Sequence, residues 1–221
     1  MEIKKEKHAF RNALIRDIFE LVKLNLIFVV CCLTVIGIPA GIAAMAKVNL
    51  QIQRGDTIYV IPDFLHEFRK GFISSTLCGL LLAGAAFVFA YVLWFYATMQ
   101  IASSVIFVLL CCMTAIPLLV CYCAGCYLWV LNAMVEQPFG QRLRNAVLLS
   151  MICWKESGIC LLAGIFICVV TYFGIPYTMP FILVFGMAFW SYTCVYYIRP
   201  VVERYVVAAP EDAAADRESE V

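Results

Sequence analysis

The sequence predicts an all-α, polytopic membrane helical bundle: four transmembrane helices in two hairpins, preceded by a broken, re-entrant or fifth spanning apolar segment. Three observations predict it. Hydrophobic residues make up 64% of the 221-residue chain and charged residues only 14%. Soluble domains sit near 45–50% apolar and about 25% charged. The mean hydropathy is +0.93. Two long runs carry no acid, base or histidine: 65 residues between Lys70 and Glu136, and 42 between Glu156 and Arg199.

A helix needs about 20 apolar residues to cross roughly 30 Å of hydrocarbon. The first run therefore holds two spans and a turn, and the second two spans and a tighter turn. Met99-Gln100-Ile101-Ala102-Ser103-Ser104 is the polar patch of the first run, and Gly174-Ile175-Pro176 breaks the second. Proline lacks the N–H that a helix interior uses. Helices are expected near 73–97, 104–132, 157–173 and 178–198.

Charge sets the expected orientation. All 16 Lys and Arg fall in four groups: an N-terminal stretch, a loop around Lys47–Lys70, a loop around Arg142–Lys155, and the C-terminal end. Neither turn carries one, so the positive-inside rule puts the turns outside and the basic loops in the cytoplasm. Nucleic-acid binding is excluded by a net charge of +1 and a pI near 7.4.

Leu24–Ala46 holds 23 uncharged residues, just enough to span. With a fifth span the N-terminal basic group lies across the membrane from the others; with a segment that dips in and returns, all lie on one side. Gly37-Ile38-Pro39-Ala40-Gly41 at its midpoint suits a break, because Pro39 removes a helical hydrogen bond and glycines accept turn dihedrals. A proline-kinked ordinary span is the alternative. The apolar segment ending at Ala44-Met45-Ala46 lies too far from the start for a cleaved signal peptide.

The expected organisation is a single membrane domain over 1–207. It comprises an amphipathic interfacial helix (1–23), the broken or kinked membrane segment (24–46), a cytoplasmic loop with an amphipathic helix (47–72), a hairpin (73–132), a second cytoplasmic loop (133–156) and a second hairpin (157–198). An acidic tail, 208–221, is expected to be disordered. Phe10, Leu14, Ile18, Leu21 and Asn25 recur at helical spacing in the first helix. Phe64, Leu65, Phe68 and Phe72 form an apolar stripe in the loop, opposite His66, Glu67, Arg69 and Lys70. Such stripes lie on a membrane, on a partner or on the chain's own bundle. Leu81-Leu82-Ala83-Gly84 recurs as Leu161-Leu162-Ala163-Gly164, each early in a hairpin.

Chemistry has little to work with. The only histidines, His8 and His66, fall outside the spans, and no ionisable Asp, Glu, Lys or Arg lies in the four helices. Proton relays and coupled pumps generally use such groups. Cys121-x-Cys123-x-x-Cys126 has no second pair or histidine near it in sequence, so no metal or cofactor is expected. No enzyme motif is present, and Asp63, His66 and Glu67 read as a solvated helix face. Asn25, Thr34, Gly37, Pro39 and Gly41 are the candidate functional residues, since a half-helix beginning near Pro39 would aim its positive end inward. Phe64, Leu65, Phe68 and Phe72 are the candidate partner-docking face.

Asn25-Leu26, then Leu33-Thr34-Val35-Ile36-Gly37-Ile38-Pro39-Ala40 with Ala43-Ala44, then Asp63-Phe64 and Phe68-Arg69-Lys70-Gly71-Phe72 ahead of two hairpins, resembles the YesL-like family of small bacterial membrane proteins. The family pattern has Leu-Pro where Leu33-Thr34 stands, and Thr-x-Gly-Pro-Ala where Gly37–Gly41 stands. The resemblance implies a bacterial plasma membrane and an association with carbohydrate-uptake ABC importers, hence permease subunits as partners beside the lipid bilayer. It implies no established activity. The expected function is a non-catalytic accessory protein; the alternative is a self-contained small-solute transporter or channel using the Gly37–Gly41 break.

Overall fold

The computed structural model describes residues 2–32, 34–56, 58–98, 105–174 and 182–207. Among them are seven α-helices and no strand: α1 (Glu2–Cys32), α2 (Ile38–Arg54), α3 (Val60–Thr98), α4 (Val105–Met134), α5 (Phe139–Ile152), α6 (Trp154–Gly174) and α7 (Met187–Val202). A 3₁₀ turn, Val35–Gly37, precedes α2, and single π turns, Ile182–Gly186 and Glu203–Val207, flank α7. Both tight turns, 99–104 and 175–176, fall outside the described residues, as do the 208–221 tail and the side chains of Phe10 and Leu14.

Three helices, α3, α4 and α6, are long and apolar enough to cross a membrane. α7 sits within the run where a fourth span is expected, but its sixteen residues fall short of that length. Its environment explains its composition. Tyr192, Val195, Ile198 and Val202 are fully buried within the protein, and Ser191 and Thr193 are buried beside them. Ser191 accepts from Asn49 of α2, while Thr193 donates to the Phe189 carbonyl of its own helix.

The N-terminal third differs from its expected boundaries. α1 is one helix running through residue 23 to Cys32, since nothing between Lys23 and Phe28 disfavours helix. At Cys31 the chain closes off: Thr34 Oγ1 donates to the Cys31 carbonyl at 2.8 Å and Gly37 N–H donates to the Thr34 carbonyl at 2.7 Å. α2 then starts with Pro39 in its first turn, where a missing N–H costs nothing. It continues past Ala46 to Arg54, so residues 47–54 are helix rather than loop. Gly55 ends it with φ +79°, and Gly55 and Asp56 donate back to Ile52 and Gln51. That is the left-handed glycine cap.

α1 and α2 pack face to face. Gly41 lies under Phe28, where an added Cβ would stand 3.0 Å from the ring. Thirteen residues of continuous helix would separate these positions by about 20 Å. The chain therefore doubles back between the end of α1 at Cys32 and the start of α2 at Ile38. The tip of this hairpin is wedged into the bundle: Gly37 abuts the Phe68 ring, and Gly79 leaves room for Pro39 and Trp129.

α3 also crosses an expected boundary, running without interruption through 72–73. Asp63 Oδ2 accepts from the Tyr59 N–H at 2.9 Å and caps its start. A lone Gly71 costs only about 1 kcal/mol, too little to break a helix packed on both sides. At 39 residues α3 is about 58 Å long, far more than a bilayer core. The second loop, 133–156, contains the unforeseen α5, with Pro138 at its N-cap.

The core is concentrated at one end. Ten of the seventeen residues of α2 are buried, making it the central strut. Around it, Leu21, Leu24 and Phe28 of α1, Phe64 of α3 and Tyr192 of α7 form one cluster. Tyr127, Leu131, Ala146 and Ile198 anchor a second, between α4, α5 and α7. The other end, α3 beyond Leu80, α4 before Val120 and α6, exposes large apolar side chains such as Phe87, Trp94, Met113 and Phe166.

Candidate functional site

Polar side chains converge where α2, the start of α3, the end of α4 and the start of α5 meet. A cavity of about 260 Å³ opens there, lined by Lys47, Glu67, Lys70, Ser74, Ser75, Asn132 and Arg142 among others. Each is placed by an ordinary packing decision. Lys47 follows the small residues Ala43 and Ala44 on one face of α2, and Ser74 and Ser75 begin the apolar part of α3. Asn132 closes α4, and the Pro138 turn folds α5 back so that Arg142 returns under Asn132.

Arg142 is the centre of this group and is only 9% exposed. Its Nη1 donates to Asn132 Oδ1 at 2.6 Å and to Ser74 Oγ at 3.4 Å, and its Nη2 donates to the Gln137 carbonyl at 2.7 Å. Asn132 Nδ2 donates in turn to Ser75 Oγ at 3.0 Å. The Arg142 Nε is buried with no partner. Every acceptor on the guanidinium is neutral. At the mouth, Lys70 pairs with the exposed Glu136 at 3.5 Å. Glu67 lies 3.7 Å from His66 Nδ1. Neither carboxylate reaches Arg142 or Lys47 within ion-pair distance.

A second set of polar contacts ties α7 to the N-terminal hairpin. Asn49 Nδ2 donates to Ser191 Oγ at 3.0 Å, and Gln53 Nε2 to the Tyr192 carbonyl at 2.9 Å. Tyr192 Oη donates to Asp17 at 2.9 Å, and the Ala188 N–H to Asn25 Oδ1 at 2.8 Å. Asn25, one of the candidate functional residues, thus satisfies the backbone where the π turn becomes α7. Thr34 closes α1, and Gly37, Pro39 and Gly41 are close-packing positions against Phe68, Gly79 and Phe28. None of the five lines the polar cavity.

The candidate docking stripe turns inward. Phe64 is fully buried, Phe68 stacks on it at 6.1 Å, and Phe72 meets Phe68 edge-on at 5.4 Å. Leu65 is half-buried beside them. Phe64 and Phe68 pack with residues of α1 and α2, Phe72 is half-buried, and Tyr59, Ile61 and Ile73 are exposed. Asp63, His66 and Glu67 do not converge either, since Asp63 is spent on the helix cap.

All twelve cysteines are free thiols. Cys194 lies against Cys126 and Cys160 in the core, but no group of three metal-ligating side chains has metal-binding geometry among the described residues. Cys153 joins α5 to α6, where its carbonyl accepts from Tyr127 Oη and Ser157 Oγ. Burial pushes its thiol up, Glu156 adds to that, and Arg204 partly offsets it. The recurring Leu-Leu-Ala-Gly has two different settings: Gly84 faces open space, whereas Gly164 lies beneath Tyr122, whose hydroxyl accepts from Trp190 Nε1.

Sequence reasoning missed Arg142 and Lys47 as site residues because both lie in stretches read as solvated basic loops. The signal that was present is Pro138 followed by amphipathic spacing in 139–152, which makes a helix and gives Arg142 an inward face.

No curated protein and no solved structure matches the chain. Residues 21–93, about a third of the chain, cover the last twelve residues of α1, all of α2 and most of α3, and they match the family model described as Protein of unknown function, DUF624, to which YesL-like proteins belong.

Proposed function

We propose that this chain is a non-catalytic membrane accessory protein that binds a membrane-embedded partner, the permease of a carbohydrate-uptake ABC importer, through its sparsely packed spans. The observation that carries this reading is how little of the spans the chain covers itself. Only 11% of the most apolar part of α3, 17% of α4 and 11% of α6 is buried. Surface of this kind is available to lipid and to a partner's helices. An apolar groove of about 420 Å³ beside Gly164, between α6 and α7, offers one place for a partner side chain.

The topology that goes with this reading has four spans, in α3, α4, α6 and the helical stretch around α7, in a bacterial plasma membrane. The α1–α2 hairpin dips in and returns on the cytoplasmic side. Its tip lies beside Phe68 and Gly79, near the start of the apolar part of α3, which supports a shallow re-entrant segment over a fifth span. All basic segments then face the cytoplasm.

Affinity purification from native membranes in mild detergent tests the function. A carbohydrate permease subunit recovered in near-stoichiometric amount is the expected result. Solute flux into liposomes by the protein alone, abolished in Pro39→Leu, would instead establish a self-contained transporter. A reporter fused before Met1 should read cytoplasmic, and an external reading would restore the fifth span.

A further inference from the structure

Arg142 holds a full positive charge in a site nine-tenths shielded from solvent, with no carboxylate against it. Burying an unpaired charge costs several kcal/mol unless an opposite charge accompanies it. Its neutral partners satisfy part of the guanidinium's hydrogen-bonding capacity and none of its charge. Lys47, half-buried in the lining of the same cavity, has no hydrogen-bond or ion-pair partner among the described residues. Three cations, Lys47, Lys70 and Arg142, line the cavity against two carboxylates, Glu67 and Glu136. The Lys70–Glu136 pair is exposed at the mouth, and Lys47 with Arg142 outnumber the one remaining carboxylate, Glu67, so the cavity keeps a net positive charge.

We infer that this cavity binds a phosphate group, held by the Arg142 guanidinium, the Lys47 ammonium and the hydroxyls of Ser74 and Ser75. A phosphate has several oxygens and carries one or two charges, which matches two cations and two hydroxyls converging on one space better than a single carboxylate does. The cavity also sits beside Ser74 and Asn132, where the uncharged runs of α3 and α4 begin and end. On the four-span topology proposed above, that is the depth at which lipid headgroups lie. The same chemistry is presented by an anionic lipid headgroup or by a soluble phosphate ester. The site does not depend on association with a permease.

The test uses the full-length protein in dodecyl maltoside, a detergent without phosphate. In one arm inorganic phosphate and glucose 6-phosphate are titrated calorimetrically. In the other, native mass spectrometry follows retention of added phosphatidylglycerol, with diacylglycerol as the uncharged control. Saturable one-to-one binding is expected in one arm, and which arm responds identifies the source of the phosphate. Lys47→Gln should weaken it about tenfold, the loss of one charge-assisted hydrogen bond, while Lys155→Gln, outside the cavity, should leave it unchanged. Arg142→Gln should abolish it; if that variant fails to fold, Lys47→Gln carries the test, since Lys47 makes no internal bond. Binding in neither arm, or binding that Lys47→Gln leaves intact, would overturn the inference.

Discussion

The ring of Phe28 rests on Gly41, close enough that even a single added Cβ would stand 3.0 Å from it. This contact fixes the reversal between α1 and α2 and thereby sets where α2, the central strut of the bundle, stands. Gly41→Val should destabilise the protein by about 1–3 kcal/mol through overpacking. Phe28→Ala in the same chain should recover part of that loss. Thermal unfolding in detergent checks both, and equal losses with and without Phe28 would show that the two helices do not meet there.

Asn132 presents its carbonyl to Arg142 at 2.6 Å and its amide to Ser75 at 3.0 Å. Asn132→Leu leaves a buried guanidinium short of an acceptor, and a loss of about 1–3 kcal/mol is expected. Arg142→Met combined with Asn132→Leu should cost less than the sum of the two single changes, because the orphaned charge is gone. A double-mutant cycle by denaturant unfolding reads the difference, and strict additivity would mean that the pair is not coupled.

The two copies of Leu-Leu-Ala-Gly should respond in opposite directions. Gly84→Ala adds a methyl into open space and improves helix propensity, so its effect should be neutral or a gain of up to about 1 kcal/mol. Gly164→Ala collides with the Tyr122 hydroxyl and should lower the unfolding temperature, with partial recovery in Gly164→Ala, Tyr122→Phe. Similar behaviour at both sites would mean that Tyr122 does not seat on Gly164.

Cys153 should react slowly with iodoacetamide at neutral pH. Its thiol is raised above the usual range by desolvation and by Glu156, so the reactive thiolate forms only at higher pH than in an unperturbed thiol. The rate should therefore climb at a higher pH than that of an unfolded control. Glu156→Gln should move the profile to lower pH and Arg204→Gln to higher pH. Peptide mapping of alkylated protein across pH follows Cys153 among the other thiols, and a profile matching the unfolded control would refute the shift.

Much of the helical plan was legible because its signals are local. Uncharged runs flanked by Lys70 and Glu136, or by Glu156 and Arg199, locate both ends of α4 and α6 within three residues, whereas α3 begins thirteen residues before its expected start. Pro39 with its neighbouring glycines marks the break. The end of α2 was equally local, in Gly55, but was hidden by the charges of Lys47 and Arg54, which make a buried helix look like a loop. α5 was missed for the same reason, its arginines outweighing the periodicity behind Pro138.

Alone, the sequence determined that this is a helical chain with apolar segments fit for a membrane, because hydrophobicity and proline act through nearest neighbours and need no partner. Tertiary structure decided how the two limbs of the break pack, that Phe64 and Phe68 turn inward, and that Arg142 stands beside Asn132 and Ser74 in a cavity shared with Lys47. Those facts depend on which helices meet. The reversal between α1 and α2 and the turn at Pro138 bring together residues up to 95 positions apart, and no local pattern reports the charge balance of the cavity they enclose.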